Sequence, residues 1–332
     1  MTHQPRFVAR PPGAGAADDA EPPRPRSAEF GPLARFVADP KVTDVFVNGP
    51  GQVWVDRGAG PERHALDGLD ESTLRELATR LIALGGRHVD EAHPAVDVRL
   101  HEGIRVHAVL PPIATGGTAL SVRLPSVRPL SAAELEAGGF FEAVPLSTVL
   151  ELVRRRENLL ITGAGGCGKT TLLSALLAEA DARERIVVIE DVAELRIRHP
   201  HVVSLEARQA NLEGAGGVGL ARLVREALRM RPDRLVLGEC RGEEIRELLA
   251  ALNTGHDGGA GTLHANSLAD VPARLEALGA LAGLSPEAIA RQAVSAIGAV
   301  LHLERVDGRR RLAQLGALAL DERDRLTVRE QG

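Results

Sequence analysis

The sequence predicts an α/β protein in two parts, and three patterns support this fold class. Residues 163–171 read GAGGCGKTT, which fits the phosphate-loop pattern G-x-x-x-x-G-K-[ST]. Downstream of this motif, short apolar runs alternate with helix-like segments, which is typical of a mostly parallel sheet. Upstream of it, stretches of alternating apolar and polar residues surround one amphipathic helix, which predicts a smaller α+β domain with an antiparallel sheet.

The composition of the 332-residue chain is that of an ordinary two-domain globular protein, with 44% hydrophobic and 26% charged residues. Aromatic residues make up only 2%, so the core must be aliphatic, and aromatic platforms for stacking nucleic-acid bases are not expected. The formal net charge of −5 argues against a chain that binds polyanions over its whole surface, although it leaves room for a local basic lining.

Two features of the sequence bear on the cellular compartment. The only cysteines, Cys167 and Cys240, fit neither a metal spacing nor a disulfide framework, which indicates a reducing compartment. The chain has no apolar run of about 18 residues and no signal-peptide pattern. We therefore expect a cytoplasmic protein, with peripheral attachment to a membrane partner left open.

The N-terminal part divides into an arm and a domain. Residues 1–26 contain six prolines and little apolar content, which predicts a disordered arm. Residues 27–124 form the predicted α+β domain, which includes a hairpin around Asn48-Gly49 and a helix ending at Gly85. Its predicted elements are a helical segment at 30–37, strands at 42–47 and 52–56, a helix at 69–84, and strands at 96–100, 105–110 and 118–124.

The C-terminal part begins with a connection. Residues 125–145 contain three prolines and a Gly138-Gly139 pair, which predicts an interdomain linker with a short helix. Residues 146–332 form the second predicted domain, and a helix at 145–156 leads into it. Its further predicted elements are strands at 158–162, 185–190, 202–205, 234–239 and 260–264, helices at 172–178, 220–230 and 243–252, and a terminal hairpin at 300–314 with an Asp307-Gly308 turn.

The phosphate loop lies between an apolar strand and a run of good helix formers, which is the context that this motif needs. Backbone N–H groups of such a loop point at phosphate oxygens, and the helix N-terminus adds a positive dipole. Lys169 is expected to neutralise the β- and γ-phosphates, and Thr170 to ligate Mg²⁺. The alternative is a glycine-rich turn that binds no nucleotide. The predicted nucleotide-binding residues are Gly163, Ala164, Gly165, Gly166, Cys167, Gly168, Lys169, Thr170 and Thr171.

Acidic residues follow two of the predicted strands downstream of the loop. In an open parallel sheet, ligands bind at the carboxyl ends of the strands. Glu239 ends one strand in the place of a Walker-B acid, so we expect it to share Mg²⁺ with Thr170. Glu190 ends another strand and is our candidate for activating water, with Asp191 and Glu194 close behind it. The alternative for each acid is a helix N-cap or a surface position.

A glycine-rich segment, residues 255–261, precedes His264. Its composition predicts a flexible segment that closes on the nucleotide and reports its state. His264 is a candidate catalytic residue, and the alternative is an ordinary core histidine. The other histidines form no helical i,i+4 pair with acidic support, so no metal site is expected from them.

The order of these motifs resembles the bacterial type II/IV secretion ATPase superfamily, most closely its TadA/CpaF branch. Four boxes carry the resemblance, namely the Walker A box at 163–171, the acidic box at 189–195, the Walker-B region at 228–242 and the histidine box at 252–267. The N-terminal half adds TDVFVNG at 43–49 and RVHAVLPP at 105–112, so that the resemblance covers roughly residues 30–318.

The resemblance implies a homo-hexameric motor that hydrolyses ATP with Mg²⁺ at the inner face of the cytoplasmic membrane and drives Tad/Flp-type pilus assembly or protein secretion. It implies a RecA-like ATPase domain, a smaller PAS-like N-terminal domain, and platform proteins of the inner membrane as partners. The acidic net charge and the scarcity of aromatic residues argue against a nucleic-acid partner. Arg105 and Arg123 would reach the phosphates from the N-terminal domain, the alternative being surface strand arginines. Arg241 would relay the state of the phosphate.

The sequence differs from the pattern of related families in two respects, and three alternative functions remain. Glu239 stands without the aspartate of other P-loop families, which is normal in this branch, and the short N-terminal arm leaves the membrane contact unassigned. The alternatives are a DNA-conjugation motor of the same superfamily, a nucleotide-dependent switch that does not cycle, and a RecA-type helicase. The acidic net charge argues against the first, and the lack of aromatic platforms argues against the last.

Overall fold

The structure, a computed structural model, describes residues 27–125, 129–208 and 216–331. Its strands form two sheets, one of six strands and one of eight. Helices accompany both sheets, and the predicted α/β fold class is confirmed. The predicted arm at 1–26 lies outside the described residues, and the boundaries of the predicted domains stay predictions.

The smaller sheet is antiparallel throughout. Its strands are β1 (Asp44–Val47), β2 (Val53–Asp56), β3 (Pro61–His64), β4 (Ala95–Arg99), β5 (Arg105–Val109) and β6 (Ala119–Arg123). They lie in the order β3-β2-β1-β6-β5-β4. The predicted hairpin and the three later strands are confirmed. The edge strand β3 was not predicted, because its sequence PERH has no alternation of apolar and polar residues.

Helical segments pack on this smaller sheet. The predicted helical segment at 30–37 is instead a 3-10 helix (Ser27–Leu33) followed by the short helix α1 (Ala34–Ala38). The 3-10 segment is itself kinked at Gly31, which has a φ of +51° and a ψ of −122° and is followed by Pro32. The next helix, α2 (Glu71–Leu84), buries its apolar face in the same core cluster as the strands.

The segment between the sheets contributes to the larger one. It contains the predicted short helix, α3 (Ala132–Ala137), which begins with a capping box. Phe140 and Phe141 follow, and both rings are buried in a core cluster of the larger sheet. Helix α4 (Leu146–Arg154) then leads into that sheet, as predicted.

The larger sheet is mostly parallel, as predicted. Its strands are β7 (Leu159–Gly163), β8 (Ile186–Glu190), β9 (Val202–Glu206), β10 (Arg234–Cys240), β11 (Ala260–His264), β12 (Ala299–Val306), β13 (Arg309–Leu320) and β14 (Leu326–Gln331). They lie in the order β14-β13-β12-β7-β11-β10-β8-β9. All neighbours from β12 to β9 are parallel, whereas β12, β13 and β14 pair antiparallel. The Asp307-Gly308 turn between β12 and β13 is confirmed, with φ positive at both residues.

Helices cover both faces of the larger sheet, because successive residues of its central strands face opposite sides. In β8, Val187 and Ile189 join one core cluster, whereas Ile186 and Val188 join the other. The helices are α5 (Lys169–Leu177), α6 (Leu220–Leu228), α7 (Glu244–Leu252), α8 (Val271–Leu281) and α9 (Pro286–Ala296). The last two helices, α8 and α9, were not predicted from the sequence. Within the described residues, none of the helices has the length and apolar character needed to cross a membrane.

Candidate active site

The phosphate loop joins the carboxyl end of β7 to the start of α5. Strand β7 is buried along its whole length. Gly163 has a φ of +147°, and a Cβ there would lie 2.5 Å from the carbonyl oxygen of Leu303 on the neighbouring strand. Gly168 has a φ of +101° and is the N-cap of α5. Both positions therefore require glycine, on backbone grounds alone.

The loop has the form of a phosphate cradle. The Nζ of Lys169 donates to the carbonyl oxygens of Gly163 at 2.8 Å and Ala164 at 3.0 Å, which curls the lysine over the loop. A Cβ on Gly166 would meet no atom within 4 Å, so the loop is open on that side. The Thr170 hydroxyl has no hydrogen-bond partner in the described part of the chain. Together with the first N–H groups of α5, these features fit a phosphate chain and a hard cation.

Glu190 ends β8 and is held by the turn that follows. Its side chain is 4% exposed, so it is neither a surface acid nor a helix N-cap. Its Oε1 accepts the N–H of Glu194 at 2.9 Å and the N–H of Leu195 at 3.0 Å. Burial raises the pKa of Glu190, against the lowering effect of these two N–H groups. A Cβ on Gly238 of β10 would lie 2.6 Å from the Glu190 Cγ, so glycine at 238 makes room for this carboxylate.

Glu239 and Arg241 form an ion pair at the end of β10. The Arg241 Nε lies 2.7 Å, and its second guanidinium nitrogen 2.5 Å, from the same Glu239 oxygen. The backbone N–H of Arg241 donates to Glu244 at 2.6 Å, which fixes the start of the turn. The Glu239 side chain is 26% exposed and accessible to a ligand. The pair therefore presents one carboxylate oxygen and one guanidinium at the same strand end.

Two arginines reach the same region from the smaller sheet. Arg105 on β5 and Arg123 on β6 are backbone partners in the antiparallel ladder. A guanidinium nitrogen of Arg105 lies 2.8 Å from Oε1 of Glu194, whereas its buried Nε has no hydrogen-bond partner. Arg123 is exposed and forms neither a hydrogen bond nor an ion pair within the described residues. Arg105 is therefore engaged by an acid, while Arg123 is free to bind an anion.

These side chains meet in one cleft of about 820 Å³ between the two sheets. That volume suits a nucleotide. All six predicted catalytic residues line it, together with six of the nine predicted loop residues. They are Glu190, Glu239, Arg105, Arg123, His264 and Arg241, and Gly165, Gly166, Gly168, Lys169, Thr170 and Thr171.

Three predicted loop residues, Gly163, Ala164 and Cys167, do not line the cleft. The Cys167 thiol points away from it into the core and is 1% exposed. Burial raises the pKa of this thiol, so it stays protonated at neutral pH. Its contribution to the loop is packing, because a Cβ on Gly163 would lie 2.6 Å from its sulfur.

The prediction for the glycine-rich segment at 255–261 is wrong, whereas His264 lies at the cleft. Strand β11 pairs with β7 so that Ala260 is opposite Leu159 and His264 is opposite Gly163. The segment before β11 therefore lies at the edge of the sheet opposite the phosphate loop, and it cannot close on a nucleotide. Its glycines allow close packing, since a Cβ on Gly259 would lie 2.9 Å from a backbone oxygen of β10. His264 is exposed at the cleft and is not a core histidine.

The sequence analysis missed part of the cleft lining. Arg305 and Arg310, on the β12–β13 hairpin, line the cleft beside the loop, and Asp56 lines it from the smaller sheet. The available signal was the run Arg309-Arg310-Arg311 directly after the Asp307-Gly308 turn. A run of charges after a turn is usually a solvated surface, so only the pairing of β12 with β7 identifies its location.

Comparison with known proteins finds one matching family model, several similar sequences and several similar structures. A family model described as type II/IV secretion system protein matches residues 26–314. A putative conjugal transfer protein of Mycobacterium tuberculosis is 50% identical over 285 residues, which cover 83% of this chain and 80% of that protein. The type IV secretion system protein VirB11 of Brucella suis is 32% identical over 277 residues, covering 75% and 77%. The X-ray structure of the Legionella pneumophila ATPase DotB matches with a TM-score of 0.56 and 20% identity, covering 88% and 76%, which shows a shared fold.

Proposed function

This chain belongs to the type II/IV secretion system protein family, and we propose that it is an ATP-hydrolysing motor of a secretion or pilus machine. The observation that carries the proposal is the composition of one cleft. A phosphate loop and two strand-end glutamates from the larger sheet face two arginines from the smaller sheet. Such a cleft can surround a triphosphate with cations while keeping carboxylates near the γ-phosphate.

In this proposal the loop binds the nucleotide. The N–H groups of the loop and of the start of α5 bind the α- and β-phosphates, and the Lys169 ammonium reaches the β- and γ-phosphates. Thr170 and Glu239 hold Mg²⁺, which neutralises charge on the phosphates when it is bound. The Lys169 contacts to Gly163 and Ala164 support this role, since they hold the ammonium at the loop.

The remaining residues act at the γ-phosphate. Glu190 orients the attacking water and accepts its proton. Its Oε1 accepts two N–H groups at 2.9 and 3.0 Å, whereas the Oε2 contact with the N–H of Leu195 is longer, at 3.3 Å, so Oε2 is the freer oxygen. Arg105 and Arg123 neutralise the charge that develops as the terminal phosphoryl group departs. Because both arginines belong to the other sheet, closure of the cleft and hydrolysis are coupled. Arg241 and His264 report the phosphate state from the ends of β10 and β11.

The machine that we favour is a Tad/Flp-type pilus assembly or secretion apparatus, in which a homo-hexamer works at the inner face of the cytoplasmic membrane. Inner-membrane platform proteins are the expected partners. The box order in the sequence supports this assignment. A second candidate is a motor for conjugal DNA transfer, which is favoured by the 50% identity to a putative conjugal transfer protein. DNA that stimulates ATP turnover severalfold would favour the second candidate over the first.

The experiment that tests the motor is ATP turnover measured against protein concentration, with the mass from light scattering on the same samples. Turnover per subunit that rises as a hexamer forms supports catalysis shared between subunits. The Lys169→Ala variant, which removes the ammonium at the loop together with its aliphatic chain, should lose nearly all turnover. Undiminished turnover in that variant would sink the proposal, and slow, concentration-independent turnover in wild type would favour a non-cycling switch.

A further inference from the structure

The β12–β13 hairpin places Arg310 against the phosphate loop. Strand β12 runs parallel to β7 with Leu303 opposite Gly163, so the residues after Leu303 extend beyond the end of β7, alongside the loop. On the returning strand, the Cδ of Arg310 lies 3.4 Å from the point that a Cβ on Gly168 would occupy. Gly168 is the residue from which α5 begins. Arg310 is thus a cation that the larger sheet itself places at the rim of the phosphate cradle.

Among the residues that the structure describes, the guanidinium of Arg310 has no hydrogen-bond or ion-pair partner, in contrast to its neighbours on the hairpin. Arg305 donates to the carbonyl oxygen of Gly58 at 2.6 Å, and Arg311 lies 3.1 Å from a carboxylate oxygen of Glu304. Across the described segments, Arg310 forms neither a hydrogen bond nor an ion pair. A guanidinium with several unused donors at a phosphate cradle is suited to bind phosphate oxygens in a bidentate manner.

The charges around Arg310 also favour an anion there. Loss of solvent around the group and then the positive charge of Arg305 lower the pKa of Arg310, and Arg123 adds to this effect. Cys167 and then Asp56 act in the opposite direction. The Cys167 thiol is buried in the core, and the Oδ1 of Asp56 already accepts the N–H groups of Gly58 and Gly60. Positive charge is therefore in excess at this corner of the cleft, and a bound phosphate would relieve the repulsion.

We infer that Arg310 binds the part of the nucleotide phosphate chain nearest Gly168, namely the α- and β-phosphates, as a ligand of ADP and ATP alike. The inference rests on the proposed function, since it concerns the same cleft. The backbone of a phosphate loop cradles the α- and β-phosphates, and Arg310 lies at that backbone. Its role differs from that proposed for Arg105 and Arg123, which approach from the other sheet and act on the γ-phosphate. Arg310 therefore stabilises the bound nucleotide before and after hydrolysis equally.

The test compares Arg310→Gln with Arg309→Gln, a matched variant of the adjacent exposed arginine, which does not line the cleft. Calorimetric titration with Mg-ADP and with a non-hydrolysable ATP analogue should show about 10- to 100-fold weaker binding to Arg310→Gln, by a similar factor for both. Inorganic pyrophosphate, used as a competitor of ADP, should lose affinity for Arg310→Gln to a comparable degree. The Arg309→Gln protein should bind all three ligands like wild type. The affinity of Arg310→Lys should lie between those of wild type and Arg310→Gln, because lysine keeps the positive charge but cannot bind phosphate oxygens in a bidentate manner.

Each other outcome has a distinct meaning. Wild-type affinity for ADP in Arg310→Gln overturns the inference while leaving the proposed function intact. Weaker ADP binding with unchanged pyrophosphate binding also overturns it, because Arg310 would then contact the base or the ribose. Failure of the wild-type protein to bind ADP overturns the proposed function and this inference together. Unfolding curves for both glutamine variants show whether any loss of binding comes from misfolding.

Discussion

Arg105 and Glu194 form an ion pair between the two sheets, with 2.8 Å between the guanidinium nitrogen and the carboxylate oxygen. Glu194 also donates its N–H to Glu190 at 2.9 Å. The arginine proposed to reach the γ-phosphate and the glutamate proposed to activate water are therefore connected through one residue. Arg105 must exchange or share this partner when it approaches a phosphate.

Glu194→Gln should bind ATP about 2- to 5-fold more tightly than wild type, because it releases Arg105 and removes one negative charge from the cleft. The affinity for ADP, which lacks the γ-phosphate, should change less than the affinity for ATP. Calorimetric titration measures both. The matched control is Glu206→Gln, which breaks a second ion pair between the sheets, with Arg99; neither Glu206 nor Arg99 lines the cleft. If Glu194→Gln, but not the control, binds ATP more weakly, then Glu194 does not compete with the phosphate for Arg105 and is itself a ligand.

Glu190→Gln should lower the turnover number by about 100- to 10,000-fold, the usual contribution of a general base. The amide oxygen of glutamine can still accept the two N–H groups of the turn, so ATP binding should be nearly unchanged. The measurement is steady-state turnover together with nucleotide titration. Glu179→Gln, an exposed change of the same kind beyond the end of α5, should behave like wild type. Turnover in Glu190→Gln within a few fold of wild type would exclude the proposed role.

The pH dependence of stability should differ between wild type and Glu190→Gln. Burial raises the pKa of Glu190 above its ordinary value of 4.5, so the folded protein holds this proton at pH values where the unfolded chain has lost it. Glu190 therefore costs stability as the pH rises from the unfolded pKa through the higher folded one, and it has little effect below both. Urea unfolding at pH 4 and pH 7 should show Glu190→Gln gaining stability relative to wild type at the higher pH. A constant difference between the two proteins would mean that the folded pKa is not raised.

Gly238→Ala should reduce turnover more than nucleotide binding, because the new methyl group would collide with the Glu190 side chain. Overpacking of this kind costs about 1–3 kcal/mol. The variant either loses that much stability or avoids the collision by displacing the Glu190 carboxylate. Turnover, nucleotide titration and urea unfolding of the same preparation separate these effects. Gly219→Ala is the matched control, since a Cβ there meets no atom within 4 Å and its φ of −86° suits alanine. Equal turnover in the two alanine variants would show that Glu190 tolerates displacement.

Much of the fold and of the candidate site could be predicted because the signals are local. The phosphate loop is one contiguous motif, and Glu190 and Glu239 follow apolar runs that are long enough for buried strands. The edge strand β3 escaped prediction because its residues PERH have no alternation. The glycine-rich segment was misplaced because composition indicates neither which end of a strand a loop adjoins nor how tightly its glycines pack.

The sequence by itself determined the chemistry of the cleft, since the loop glycines, Lys169, Thr170 and the strand-end acids occur in one recognisable order. Tertiary structure decided which charges oppose them. Arg105 on the smaller sheet meets Glu194, which lies 89 positions later in the chain after a strand of the larger sheet. Arg310 reaches Gly168 only because β12 pairs with β7. Backbone conformation and the positions where helices begin depend on neighbouring residues, so a short stretch of sequence is enough to predict them. The partner of a charged side chain depends on strand order and register, which the whole chain fixes only when it packs.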